Sequence, residues 1–376
     1  MTTERSFTAF HILQPDGGGV PRVVADLVRA QARAGVRVIV ACHPGLAAAE
    51  EMRASGARVL PWRATRSPGP AVAGEVRAVA RLVRDCAPDV VHAHSAKAGL
   101  AARLAVRGRI PTLYQPHAWS FLAVDGLVGR ATRRWERFAT RWTDRIVCVS
   151  AAERALGEAA GISADWEVIP NGIDLGRFGP GAPGQQPVEA GLHVVCVGRL
   201  CRQKGQDVLL EAWPRILAQA PDARLTLVGD GPLRGALEQT APAGVEFAGE
   251  VCDVVPWLRR ADLVVLPSRW EGMALAPLEA MAVGAPVVVT DVAGARESLP
   301  PGQAGCALVP PQDPGALAAA VSRMLTDSSL RRRAAGEAYA HAHQEFDVRR
   351  SAAAVMALYE RVASPTDLLA RERMSA

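Results

Sequence analysis

The chain has 376 residues, is 49% hydrophobic and carries a formal charge of +5. That length suits two domains of ~150–200 residues better than one, with enough apolar content for a core in each. The mild positive balance fits an anionic ligand or plain solubility, and the basic residues do not interleave with aromatics as in a nucleic-acid module, so no nucleic-acid partner is expected.

Short apolar runs alternate with helix-length segments. In the first half the strand candidates are 6–13, 37–43, 57–61, 89–94, 110–115, 145–150 and 166–170, with helical patterns at 21–34 and 71–86 between them. This βαβα rhythm predicts a parallel sheet covered by helices on both faces. Ligands of such sheets sit beyond the carboxyl ends of the strands, so the residues just after each strand are the candidates.

After the first strand comes QPDGGGVPR (14–22). Its glycines let backbone N–H groups approach a ligand, and Pro21 suits the first turn of the next helix. Asp16, Gly18 and Gly19 are therefore candidates for an anion or acceptor contact. The spacing is not G-x-G-x-x-G, which gives no support to a dinucleotide.

After the fourth strand comes HAHSAKAG (92–99). His92 and His94 fall on one face of the strand. An H-x-H pair is a zinc half-site, but no third ligand appears at suitable spacing, so no metal is expected. Lys97 opens a helix, where the dipole disfavours a cation and a ligand or acidic partner has to compensate. It is one of only two lysines among 43 basic side chains. After the fifth strand, QPHAWSF (115–121) offers His117 as a hydroxyl-binding or acid–base group and Trp119 as an apolar face for a sugar ring.

The segment 128–142 is amphipathic. Arg130, Arg133, Arg134, Arg137 and Arg141 line one face, and Val128, Ala131, Trp135, Phe138, Ala139 and Trp142 the other. The apolar face is expected to pack on the sheet. The arginine stripe leaves open a weak peripheral contact with an anionic membrane. Asn171, the only asparagine, precedes Gly172 and predicts a turn with positive φ.

The Gly/Pro-rich stretch 176–191 reads as a linker. Beyond it the rhythm repeats, with strands at 192–197, 224–228, 245–248, 262–267, 286–290 and 306–309, and a closing helix at 346–362. The domains are therefore set at 1–175 and 192–345.

GRLCRQKG (198–205) follows the first strand of this half. Arg199 and Lys204 together suit a diphosphate, the first as a planar fork and the second, the other lysine, as a point charge. SRWEGMALAPLEAMAVG (268–284) carries Glu271 and, eight residues on, Glu279. On a mostly helical path they stand ~12 Å apart. That is too far for a retaining glycosidase pair, but it suits hydroxyls at the two ends of an extended ligand. The N–H groups of Gly272, Met273, Ala274 and Leu275 then face a phosphate between them.

In GRLCRQKG, LVGDGP (227–232), VIPNGID (168–174) and the segment 261–294 the chain resembles the retaining glycosyltransferases of family 4, which have the GT-B fold. The match spans nearly the whole C-terminal half and is looser before it. The resemblance implies an α/β architecture of two doubly wound Rossmann-like domains, their parallel sheets facing a central cleft, with 346–376 as a C-terminal helix segment crossing back to the first domain. It implies a nucleoside diphosphate sugar, UDP-sugar first, as co-substrate in the C-terminal domain, with transfer from the face the diphosphate leaves. Arg199 and Lys204 would stabilise the diphosphate, Glu271 would bind the transferred sugar and Glu279 the ribose. Gly198 and Gly229 join the donor-binding set, and His117 with the Gly18–Gly19 backbone would lie near sugar and acceptor. No metal or other cofactor is implied, and the chain has no Asp-x-Asp.

Glycogen and starch synthases place a lysine before the first glycine pair. Asp16 stands here instead, which argues against an α-glucan synthase. A small soluble acceptor is favoured over a lipid-linked or cell-envelope glycan. A sugar-nucleotide epimerase and a non-catalytic binding subunit are the other classes. The N-terminus lacks signal-peptide features, no apolar run approaches a membrane span of about 18 residues, and the seven cysteines form no C-x-x-C pair; together these predict a cytoplasmic protein with reduced thiols.

Overall fold

The structure is a computed structural model, and it describes residues 7–14, 17–65, 69–179 and 191–363. Asp16 and most of the stretch read as a linker, 180–190, lie outside the described residues. The chain divides into two compact units, Met1–Asn171 with Val348–Ala376, and Gly172–Asp347.

The first unit holds strands β1 (Thr8–Leu13), β2 (Arg37–Cys42), β3 (Arg58–Pro61), β4 (Val90–His94), β5 (Thr112–Gln115), β6 (Arg145–Cys148) and β7 (Trp166–Val168). They form one sheet, ordered β3-β2-β1-β4-β5-β6-β7, and every pair is parallel. The second unit holds β8 (His193–Val197), β9 (Arg224–Val228), β10 (Val245–Gly249), β11 (Leu263–Leu266), β12 (Val287–Thr290) and β13 (Leu308–Val309). Its order is β10-β9-β8-β11-β12-β13, again all parallel. The central strands β1, β4, β11 and β12 are buried at every residue; β11 and β12 accordingly read as short apolar, β-branched runs, whereas β1 and β4 bury His11, His92 and His94 among their apolar residues. Edge strand β3 is half-exposed, begins with Arg58 and ends with Pro61, a termination that discourages further strand pairing.

In each sheet the strand order reverses beside the first strand, between β1 and β4 and between β8 and β11. Such switch points are where helices diverge to opposite faces and leave a crevice at the carboxyl ends. Gly18 follows β1 and Lys97 follows β4; Lys204 follows β8 and Glu271 follows β11.

The closing helix, Val348–Val362, belongs to the first unit. Its Ala352, Val355, Leu358, Tyr359 and Val362 pack with Ala9, Leu27, Val90 and Leu113. The first unit ends at Asn171 rather than at 175. Ile173 already belongs to the second unit, where its N–H donates to the Phe346 carbonyl at 2.8 Å. Neither Asn171 nor Gly172 takes a positive φ, and Asn171 is buried, so the predicted turn does not form there.

The helix Gly126–Ala139 also departs from the sequence reading. Its buried residues are Gly129, Glu136 and Ala139, while Leu127, Val128 and Phe138 are exposed. What holds it is an ion pair, Glu136 with Arg103 at 2.8 Å, both essentially without exposure. Arg103 also lies over the Tyr114 ring and donates to the Gly99 carbonyl. The arginine stripe is exposed as the periodicity predicts, apart from half-buried Arg133, but of the apolar set only Ala139 is buried, with Trp135 and Trp142 half-buried and Val128, Ala131 and Phe138 exposed, because the buried side is centred on Glu136.

All seven cysteines are free and four are buried. Among the described residues, no helix is long and apolar enough to cross a membrane.

Candidate functional site

In the second unit the chain leaves β8 at Gly198, makes a short turn at Arg202–Lys204 and enters the helix Gln206–Leu217 through Gly205. Gly205 has φ +66°, and a Cβ on it would lie 2.1 Å from the Pro267 carbonyl oxygen. The loop after β8 therefore rests directly on the end of β11. Arg269 fastens the two together: its guanidinium donates to both carboxylate oxygens of Asp207, at 2.8 and 2.6 Å, and to the Arg202 carbonyl at 2.9 Å. That fork holds the Asp207 carboxyl below its usual range. A third glycine loop closes on the same point, since a Cβ on Gly229, at φ +136°, would lie 2.3 Å from the Gly198 oxygen.

The packed loops bring Lys204 to Glu271. The ammonium donates to Glu271 Oε1 at 2.6 Å, and the Ser268 hydroxyl donates to the same oxygen at 2.8 Å. Gln203 Nε2 reaches the other oxygen at 3.3 Å. The stem of Lys204 lies along Gly198, where an added Cβ would touch its Cδ at 3.5 Å. Arg199 is half-buried, and among the described residues no carboxylate pairs with it. Glu279 is buried on the helix Leu275–Ala282, which has no side-chain cap at its start. Only 275–279 of the stretch from Glu271 to Glu279 is helical, so the ~12 Å separation reckoned from helical rise does not apply. Met273 is buried.

In the first unit Gly18 has φ +85° and opens the helix Gly19–Arg33. His117 sits in the turn after β5 with φ +55°, and Ala118 follows at +97°. Two consecutive non-glycine residues in this region are strained, and something must hold them. The buried carboxylate of Glu153 does so, accepting from the Ala118 N–H at 2.6 Å and the Val149 N–H at 2.7 Å. His117 Nε2 lies 3.1 Å from His94 Nδ1, and His94 Nε2 lies 3.0 Å from His11 Nδ1. His92 Nδ1 lies 2.7 Å from the Tyr359 hydroxyl. Burial pushes His11 down to about 4 and His117 to about 3, and His92 and His94 well below their usual value. All four imidazoles are neutral near pH 7.

Residues 17–177 match a family model described as Glycosyltransferase Family 4, and residues 191–327 one described as Glycosyl transferases group 1. The chain is 32% identical over 290 residues to a glycogen synthase of Mycobacterium tuberculosis, covering 73% of this chain and 69% of that protein. It is 32% identical over 245 residues to the lipopolysaccharide core biosynthesis mannosyltransferase LpsB of Rhizobium meliloti, covering 60% and 68%.

The chain belongs to the family 4, group 1 glycosyltransferases.

Its fold matches that of Anabaena HepE solved with UDP and glucose, at 23% identity, TM-score 0.80, and coverage of 94% of this chain and 100% of that one. A sucrose-phosphate synthase of Thermosynechococcus elongatus has TM-score 0.79 at 23% identity, with coverage of 95% and 99%. The glycosyltransferase therefore has two Rossmann-like units of the GT-B kind.

Within it the structure brings Gly198, Lys204, Gly229 and Glu271 together in the second unit and buries two candidates of the first unit. Lys97 is buried and paired with Glu75 at 2.8 Å, so the acidic partner that its helix position demanded is internal. Those contacts hold the Glu75 carboxyl low against the opposing effect of burial. Trp119 is 1% exposed, stacks on Phe121 and donates its Nε1–H to the Glu153 carbonyl, so it is core and presents no face to a sugar. Burial holds His117 down at about 3, so its imidazole is neutral near pH 7.

The third histidine that the sequence reading did not find is His11. It stands opposite His92 in the β1–β4 register, 81 residues before it in the chain. One ring nitrogen from each of His11, His92 and His94 lies within 4.8 Å of the others, an arrangement able to hold a metal ion. The available signal was strand adjacency: a histidine at the middle of the first strand of a doubly wound sheet faces the middle of the fourth.

Proposed function

We propose that the protein transfers a sugar, with retention, from a nucleoside diphosphate sugar to a hydroxyl, UDP being the first nucleotide to test. The observation that carries this reading is the Lys204–Glu271 pair beside Arg199, which no carboxylate neutralises among the described residues. A dianionic diphosphate satisfies both cations and releases Glu271 to accept from sugar hydroxyls. Glu279 takes the ribose hydroxyls. As the C1–oxygen bond to the diphosphate breaks, the acceptor oxygen bonds C1 on the same face, and its proton passes to the departing phosphate oxygen. Arg199 and Lys204 stabilise the charge that develops there, the part a divalent cation plays in other transferases. EDTA is accordingly expected to leave turnover unchanged, and a loss restored by Mg²⁺ would contradict this. NMR of the product formed from an α-linked donor is expected to show an α linkage; a β linkage would overturn retention.

The acceptor reading shifts from the small soluble molecule to a lipid-linked or envelope glycan. Leu127, Val128 and Phe138 are exposed beside Arg130, Arg134 and Arg141, and Arg141 lies over the Phe138 ring. Apolar and cationic groups on one helix surface suit an anionic membrane interface. LpsB, by its name, acts in lipopolysaccharide core synthesis. In flotation, binding to anionic vesicles that is lost in Arg130→Glu/Arg134→Glu supports this reading, and no binding returns the choice to the soluble acceptor.

A further inference from the structure

Four side chains of the first unit form one hydrogen-bonded line that the transfer chemistry does not by itself require. Gln31, on the helix Gly19–Arg33, places Oε1 2.8 Å from His11 Nε2. His11 Nδ1 meets His94 Nε2 at 3.0 Å, and His94 Nδ1 meets His117 Nε2 at 3.1 Å. Gln31, His11 and His94 are 0% exposed, so water cannot substitute for any of these partners.

A neutral imidazole has one donating and one accepting nitrogen. His11 and His94 each use both ring nitrogens within the line, so the protons must all run the same way. Two arrangements exist, and the group at the closed end selects between them. A carbonyl oxygen only accepts, so His11 carries its proton on Nε2 and accepts at Nδ1. His94 then donates from Nε2 and accepts at Nδ1, and His117 donates from Nε2. The opposite arrangement would need the Gln31 amide turned, with its NH₂ donating into His11.

We infer that Gln31, His11 and His94 are positioning residues that fix His117 as its Nε2–H tautomer and so present Nδ1 as a lone-pair acceptor. His117 Nδ1 has no hydrogen-bond partner among the described residues and is not among the buried unpartnered atoms, so it remains reachable. Resting on the transferase reading, the ligand of Nδ1 is a hydroxyl of the acceptor that donates to it. With Nε2 held by His94, Nδ1 is the ring nitrogen left to aim this hydroxyl. This also accounts for the strain at His117 and Ala118, because the ring must reach back to His94 while Nδ1 faces away.

The test is a long-range ¹H–¹⁵N spectrum of the full chain labelled at histidine, with His117→Gln to assign the His117 signals. The expected result at pH 7.5 is Nε2–H at His117. Gln31→Leu is expected to give a mixture of tautomers at His117 and to lower kcat by about tenfold with little change in KM, on the scale of losing an outer-shell orienting contact. Gln31→Glu, which keeps an acceptor oxygen, restores both. A circular-dichroism melt confirms that each variant is folded. An Nδ1–H tautomer at His117 in the unaltered protein would overturn the inference, as would a Gln31→Leu spectrum unchanged at His117. So would stoichiometric zinc that is lost in His11→Phe, because a metal would replace the protons of the line. The spectrum needs no turnover. A correct tautomer with undiminished transfer by His117→Gln would count against the assigned transferase role of His117 and leave the inference about the line intact.

Discussion

Two lysines survive among 43 basic side chains, and both face buried carboxylates. At Lys97 the partner is Glu75, and the pair is internal structure. At Lys204 the partner is Glu271, and the ammonium stays one-fifth exposed, in the same loop as Arg199, with which no carboxylate pairs among the described residues. The sequence pattern marks both lysines equally; only the surroundings separate a structural charge from an available one. Lys204→Ala is expected to lower kcat by ~100-fold or more, the effect of removing a transition-state charge stabiliser. Lys204→Arg is expected to fall short of wild type as well, since the stem packs along Gly198 and a guanidinium cannot place a single charge at the same point. Initial rates measured at saturating donor check both, and near-normal turnover in Lys204→Ala would refute the assigned role.

At the scale of elements, the helix Gly126–Ala139 shows where periodicity misleads. Its arginines and aromatics have helical spacing, yet the buried centre is Glu136 on Arg103. Burial pushes the Glu136 carboxyl up while Arg103 pulls it down. Breaking a buried pair leaves one charge uncompensated, so Glu136→Ala is expected to destabilise the first unit by about 3–5 kcal/mol. Replacing both partners by leucine should cost much less. Urea unfolding compares the two, and equal losses would show that the pair acts by packing alone. The helix Leu275–Ala282 gives the opposite lesson. The eight-residue interval between Glu271 and Glu279 was legible, but the helix start was not, because the helix begins four residues after Glu271 and has no side-chain cap to announce it.

Across the whole molecule, alternation and apolar runs marked every strand, because parallel strands buried on both faces need long β-branched stretches. The C-terminal site was legible because its parts are short loops of fixed chemistry at two adjacent strand ends. The N-terminal side was less so. His11 joins the histidines only through the β1–β4 pairing, and the burial of Trp119 depends on Tyr114, Phe121 and Trp166 converging from separate elements. The histidine line also sets a pH dependence. Below about pH 6.5 the unfolded chain takes up protons at these positions, while folded His11 and His117 wait until about 4 and 3. The unfolded state then binds more protons, so stability falls as pH drops from about 6.5 towards 4, by ~1.4 kcal/mol per pH unit for each histidine. The groups facing them, Gln31, Gln115 and Tyr359, carry no charge that would offset this. Urea midpoints at pH 7.5 and 5.5 should differ clearly, and equal midpoints would contradict neutral burial.

The central claim is that the second unit holds a nucleoside diphosphate sugar through Arg199, Lys204, Glu271 and Glu279. Thermal unfolding of the full chain with UDP, GDP, ADP and their sugars tests it most directly. A nucleotide at a hundred times its Kd should add about 2.7 kcal/mol of stability. The expected result is a rise in Tm for one nucleotide family, largest with its sugar, that is abolished in Lys204→Ala and reduced in Glu279→Ala. No shift with any nucleotide, or a shift that Lys204→Ala leaves intact, would contradict it.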